Sequence, residues 1–166
     1  MANENDDEHP IEIQEIDDDH RFFDSIDENL LTILPNNWEN SSQPDEYEFA
    51  EITRSIQKVL AKEKVSAELY GFSTESKIQH HRSAEIVLPV LYFSAKYIIE
   101  NSEAVNVVIN IFSNYLSEVF FKKEDSTRVK FSIVEEQKKG NRLKIEYEGP
   151  VSGVKDFTAL VKKFKK

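Results

Sequence analysis

The sequence predicts an α+β protein: a small three-stranded sheet with a C-terminal β-hairpin, packed by about four helices, after an acidic flexible leader. Three observations predict it. Residues 83–121 carry more apolar side chain than any other stretch of the chain. Residues 127–135 and 141–148 alternate polar and apolar on either side of Gly140-Asn141, the signature of a hairpin. The charge is divided: residues 1–48 hold 16 Asp and Glu against Arg21, a formal −15, and the remaining chain is +5. These observations divide the chain into a leader over 1–44 and a single α+β domain over 45–166.

The elements follow in order. Residues 1–20 read as a solvated acidic run, because like charges repel and only Ile11, Ile13 and Ile16 could be buried. The same run could also serve as a docking arm for a basic partner. Residues 21–38 differ. As a helix they would place Phe22, Phe23, Ile26, Leu30, Ile33 and Leu34 on one side and Asp24, Asp27 and Glu28 on the other, with Trp38 after the terminating Pro35. An acidic amphipathic segment of this kind either folds into a partner's groove or packs back onto its own body. Phe22, Phe23, Ile26, Leu30, Leu34 and Trp38 are therefore the candidate partner-binding residues.

A linker at 40–44 leads to a helix expected over 45–62, with Phe49, Ile52, Ile56, Val59 and Leu60 as its stripe. Acids in its first turn and lysines in its last suit the helix dipole. Residues 65–72 alternate as a strand, and 73–82 read as a polar loop. The first half of the apolar centre is ambiguous between strand and helix; Pro89 at a first turn favours a helix over 89–100. The second half is a helix from about 104, with Val105, Val108, Ile109, Phe112, Leu116 and Val119 at spacings of three and four. Lys96, Glu100 and Glu103 break the run too early for a membrane span. A last helix is expected over 153–164, ending on Lys162, Lys163, Lys165 and Lys166.

Composition excludes several chemistries. With no cysteine, disulfides, thiol nucleophiles and cysteine-bound metals are absent, which is compatible with a reducing cytoplasm. The four glycines, Gly71, Gly140, Gly149 and Gly153, cannot build a phosphate-cradling loop. His80-His81 is the one cluster of catalytic type, but adjacent histidines point apart on a regular element. The acidic runs lack the glycine and closing glutamate of a calcium loop. Arginines are few for a nucleic-acid binder. No catalytic residue, metal site or cofactor is expected.

The segment from Ser83 onward resembles small effector-associated components of bacterial conflict systems. The resemblance rests on the central apolar helices, Val129-Lys130-Phe131-Ser132-Ile133, the run Leu143 to Pro150, and Gly153-Val154. It implies an apolar helical part before a hairpin and a last helix, and a non-catalytic role linking effectors to other parts of a defence system. The acidic leader and the extra helix and strand depart from that pattern. The expected function is thus a non-catalytic accessory or regulatory protein, cytoplasmic, whose body binds itself or a protein partner. The alternative is an acidic inhibitor or immunity-type protein capping a basic nucleic-acid-handling partner; its binding should weaken steeply with salt.

Overall fold

Val129, Phe131 and Ile133 alternate with Lys130, Ser132 and Val134, and that period of two builds the spine of the molecule. The computed structural model describes residues 11–16, 21–41, 43–79, 85–120 and 128–150, with Gly153, Asp156 and Ala159. In chain order these form β1 (Ile11–Ile16), a 3-10 turn (Arg21–Ser25), β2 (Leu31–Leu34), a second 3-10 turn (Pro44–Glu46), β3 (Glu48–Ala50) and α1 (Thr53–Lys62). They continue with β4 (Ala67–Leu69), β5 (Lys77–Gln79), β6 (Glu85–Val87), β7 (Val90–Phe93), α2 (Ala95–Glu100), α3 (Ser102–Phe120), β8 (Arg128–Glu136) and β9 (Arg142–Pro150).

Seven strands make one mixed sheet in the order β1-β9-β8-β7-β2-β4, with β6 also paired to β8. The hairpin β8–β9 is its longest ladder, running antiparallel from Arg128↔Pro150 to Glu136↔Arg142. Gly140, at φ 91°, supplies the left-handed residue its turn requires. β1 pairs antiparallel with β9, and β2 lies between antiparallel β7 and parallel β4. β3 and β5 form a separate two-stranded parallel sheet.

β6 and β7 are two halves of one line of chain beside β8. The register moves from Val87↔Lys130 to Leu91↔Ile133, so β8 advances three residues while the other side advances four. The extra residue is a β-bulge at 88–90, where Pro89 has no N–H to lose from the ladder. Leu88 keeps its place by donating its N–H to Lys130 O at 2.9 Å. The bulge also shifts the alternation: Ile86 and Leu88 before it, and Leu91 and Phe93 after it, all face the same core.

That core lies under the helices. Ile56 and Leu60 of α1, and Val105, Val108, Ile109 and Phe112 of α3, pack on Leu31, Ile33, Val129, Phe131, Ile133, Ile145 and Tyr147. Phe112 stacks on Phe131 with ring centroids 5.1 Å apart and planes 5° from parallel. Ser94 caps α2, accepting from Tyr97 N at 3.0 Å and donating to Glu28 O at 2.8 Å.

The small three-stranded sheet packed by four helices is therefore overturned: among the described residues the chain is α+β, with the helices α1 to α3 and a seven-stranded mixed sheet. The residues expected as a flexible leader supply β1 and β2. The helix expected over 45–62 begins only at Thr53, after β3. The helix expected over 89–100 is β7 followed by the short α2, and the loop expected over 73–82 contains β5. The terminal helix expected over 153–164 falls almost wholly outside the described residues. Among the described residues no helix is long and apolar enough to cross a membrane.

Candidate functional site

The face of the sheet away from the helices has a different cover. Leu34, Val90, Tyr92 and Val134 point to it, and the segment 21–41 lays Phe23, Ile26 and Trp38 over them. Phe23 meets Trp38 edge-on at 5.6 Å and Tyr92 at 5.0 Å. The Arg142 guanidinium lies 4.4 Å over the Phe23 ring and pairs with Glu136 at 3.3 Å. Glu136 also accepts from Tyr92 Oη at 3.4 Å and Ala95 N at 3.2 Å. Burial pushes the Tyr92 phenol above its ordinary pKa; the Arg142 hydrogen bond opposes that rise and the Glu136 charge adds to it.

This cluster accounts for most of the residues that the sequence marks as partner-binding. Phe23, Ile26, Leu34 and Trp38 are buried against the chain's own sheet. Leu30 is half-buried, and the side chain of Phe22 lies outside the described residues. The segment is a 3-10 turn, a loop and a central strand, so it presents no amphipathic helix.

Where this apolar cover ends at Trp38, the same face opens into a polar cleft of about 380 Å³. Its floor comes from alternate residues of three strands: Glu85 and Val87 of β6, Lys130 and Ser132 of β8, and Lys144 and Glu146 of β9. Its wall is the loop 36–40 together with Glu48. Two adjacent asparagines hold that wall. Asn36 donates through Nδ2 to Leu88 O at the bulge, at 2.9 Å, and accepts Ala50 N at Oδ1, at 3.0 Å. Asn37 donates to Glu46 O and accepts from Glu48 N, each at 2.8 Å. The bulge turns a carbonyl outward, Asn36 takes it, and the backbone from 47 to 50 is held extended rather than helical.

Inside the cleft Lys144 is nearly buried and clamped by carboxylates, 2.6 Å from Glu39 and 3.9 Å from Glu146. Ser132 Oγ donates to Glu146 at 3.1 Å. Glu48, Glu85 and Lys130, all half-buried, make no side-chain hydrogen bond or ion pair among the described residues. The arrangement suits recognition of charge: it holds carboxylates at fixed positions around one neutralised lysine. Among the described residues no group of three or more His, Asp or Glu could hold a metal ion. His80 and His81 lie outside the described residues.

The sequence reading missed this cleft. One signal was present: hairpin alternation sets Lys130, Ser132, Lys144 and Glu146 on one face, opposite the apolar one. Asn36, Asn37 and Glu48 carried none, because their partners are distant in sequence. No family model, no curated protein and no solved structure matches the chain.

Proposed function

We propose that the chain is a non-catalytic protein-interaction protein, an accessory or regulatory subunit that engages a basic protein partner. One observation carries this reading: the described part of the acidic third of the chain is built into the fold with its charge outward. Glu12, Glu15, Asp24, Asp27, Glu28, Glu39, Asp45 and Glu46 are exposed, on the edge strand, in and after the two 3-10 turns, and at the cleft wall. A surface with charge of one sign steers an oppositely charged partner and excludes like-charged ones. The resemblance to conflict-system components supports a defence role, and the cysteine-free composition is compatible with the cytoplasm.

A second reading is an acidic inhibitor or immunity-type cap over a nucleic-acid-handling protein, favoured by the −15 formal charge of residues 1–48. One experiment addresses both. The full chain is used as bait in host extract at roughly 50 and 500 mM salt, and retained proteins are identified by mass spectrometry. The expected result is a basic partner held at low salt and released at high salt. Retention indifferent to salt would overturn the charge-driven reading. If the retained protein is a nuclease, inhibition of its activity by the purified chain separates the cap from the accessory subunit.

A further inference from the structure

Three charges in the cleft that have no side-chain partner among the described residues are what single it out. Glu48 stands on the wall, Glu85 and Lys130 on the floor, and each is half-buried. Partly desolvated carboxylates gain most from a cation that brings its own hydrogen bonds. The cleft's own lysine cannot serve, because Lys144 is already neutralised by Glu39 and Glu146. The wall is also stiff: the four hydrogen bonds of Asn36 and Asn37 fix the backbone on either side of Glu48, so that backbone needs little ordering on binding.

We propose that this cleft seats a cationic side chain, an arginine, from an extended basic segment of the partner. The inference rests on the function proposed above and gives it a site. The guanidinium enters between Glu48 and Glu85, which line the same cleft, and its several donors can serve two carboxylates where an ammonium is a single point charge. Lys130, on the floor beside Val87, donates to a backbone carbonyl of the same segment. Trp38 closes one side of the cleft and supplies an apolar flank for the arginine stem.

The test uses the full chain and an acetylated, amidated hexa-arginine peptide, with calorimetry and Trp38 fluorescence as readouts. Trp38 is the only tryptophan, so its emission reports the border between the cleft and the apolar cover. Two variants carry the same charge change: Glu48→Gln/Glu85→Gln in the cleft and Glu12→Gln/Glu15→Gln on the edge strand. The expected result is a shift in Trp38 emission, at least about a tenfold loss of affinity in the cleft variant, and less than about twofold in the edge variant. Hexa-lysine should bind more weakly than hexa-arginine. Equal losses in both variants, or binding without a change in Trp38 emission, would overturn the cleft and leave a diffuse acidic surface as the contact. Failure of the wild-type chain to bind hexa-arginine at low salt would overturn the cleft and the basic-partner reading together.

Discussion

The two faces of the seven-stranded sheet are built from the same strands and covered in different ways. On one, two helices bring a regular apolar stripe to β2, β6, β7, β8 and β9, and the result is a single continuous core. On the other, an irregular segment reaches only Leu34, Val90, Tyr92 and Val134, and beyond it the sheet carries Lys130, Ser132, Lys144 and Glu146. A helix repeats its cover every turn, whereas a loop covers only where its few large side chains land. The helical face therefore stores stability, and the loop-covered face leaves polar strand residues available for recognition.

The largest expected effect tests the helical face. Phe112→Ala removes one ring of the Phe112–Phe131 stack and leaves a cavity where both partners are fully buried. The expected cost is about 3–5 kcal/mol by urea unfolding. Trp38→Ala should cost less, about 2–3 kcal/mol, because water from the adjoining cleft can fill the space. Equal costs would mean that the loop-covered face is as structural as the helical one. The next effect belongs to the cleft wall. Asn36→Ala strands Leu88 O and Ala50 N, and the expected cost is about 1–3 kcal/mol. Hydrogen exchange at the Ala50 amide should speed up; an unchanged rate would mean that the wall is held by something else.

These faces were unequally legible in the sequence. The hairpin and the long helix α3 were readable, since a period of two and a period near 3.6 each persisted over many residues. The central strands were not. β2 and β7 are four-residue runs buried on both faces, and runs so short carry too little alternation to distinguish them from a helix. The bulge at 88–90 made this worse, because Ile86, Leu88, Leu91 and Phe93 face one core at spacings of two and three. The acidic leader misled through its charge: β1 keeps Glu12 and Glu15 at the solvent, as an edge strand does to discourage further pairing. Most of the cleft was hidden because Asn36 and Asn37 act through bonds to the bulge and to residues 46–50, and no local pattern predicts such bonds.

A smaller effect sharpens the comparison at the edge between apolar cover and polar cleft. Arg142→Met keeps the apolar stem but removes the ion pair to Glu136 and the charge over Phe23. With the Arg142 side chain only 13% exposed, the expected cost is about 1 kcal/mol. The same change removes an influence that holds the Tyr92 phenol down, so its pKa should rise further. An unchanged or downward-shifted titration of that phenol would mean that the guanidinium does not hold it down.

The smallest effect appears only at alkaline pH and separates the faces by their tyrosines. Burial raises the pKa of Tyr97 and Tyr147 on the helical face and of Tyr92 on the other, each from an ordinary value of 10.0. In the unfolded chain these phenols release their protons near that value, while the folded chain holds them longer. Their contribution to stability is therefore complete below pH 10 and is lost as pH rises through the higher folded values. Urea midpoints should be constant from pH 8 to 9.5 and fall by about pH 11, in step with phenolate absorbance. In Arg142→Met the Tyr92 phenol, with its pKa higher still, should ionise last and widen that fall. A fall of unchanged size would show that the guanidinium does not reach the phenol, and that the loop-covered face tunes its tyrosine by burial alone, as the helical face does.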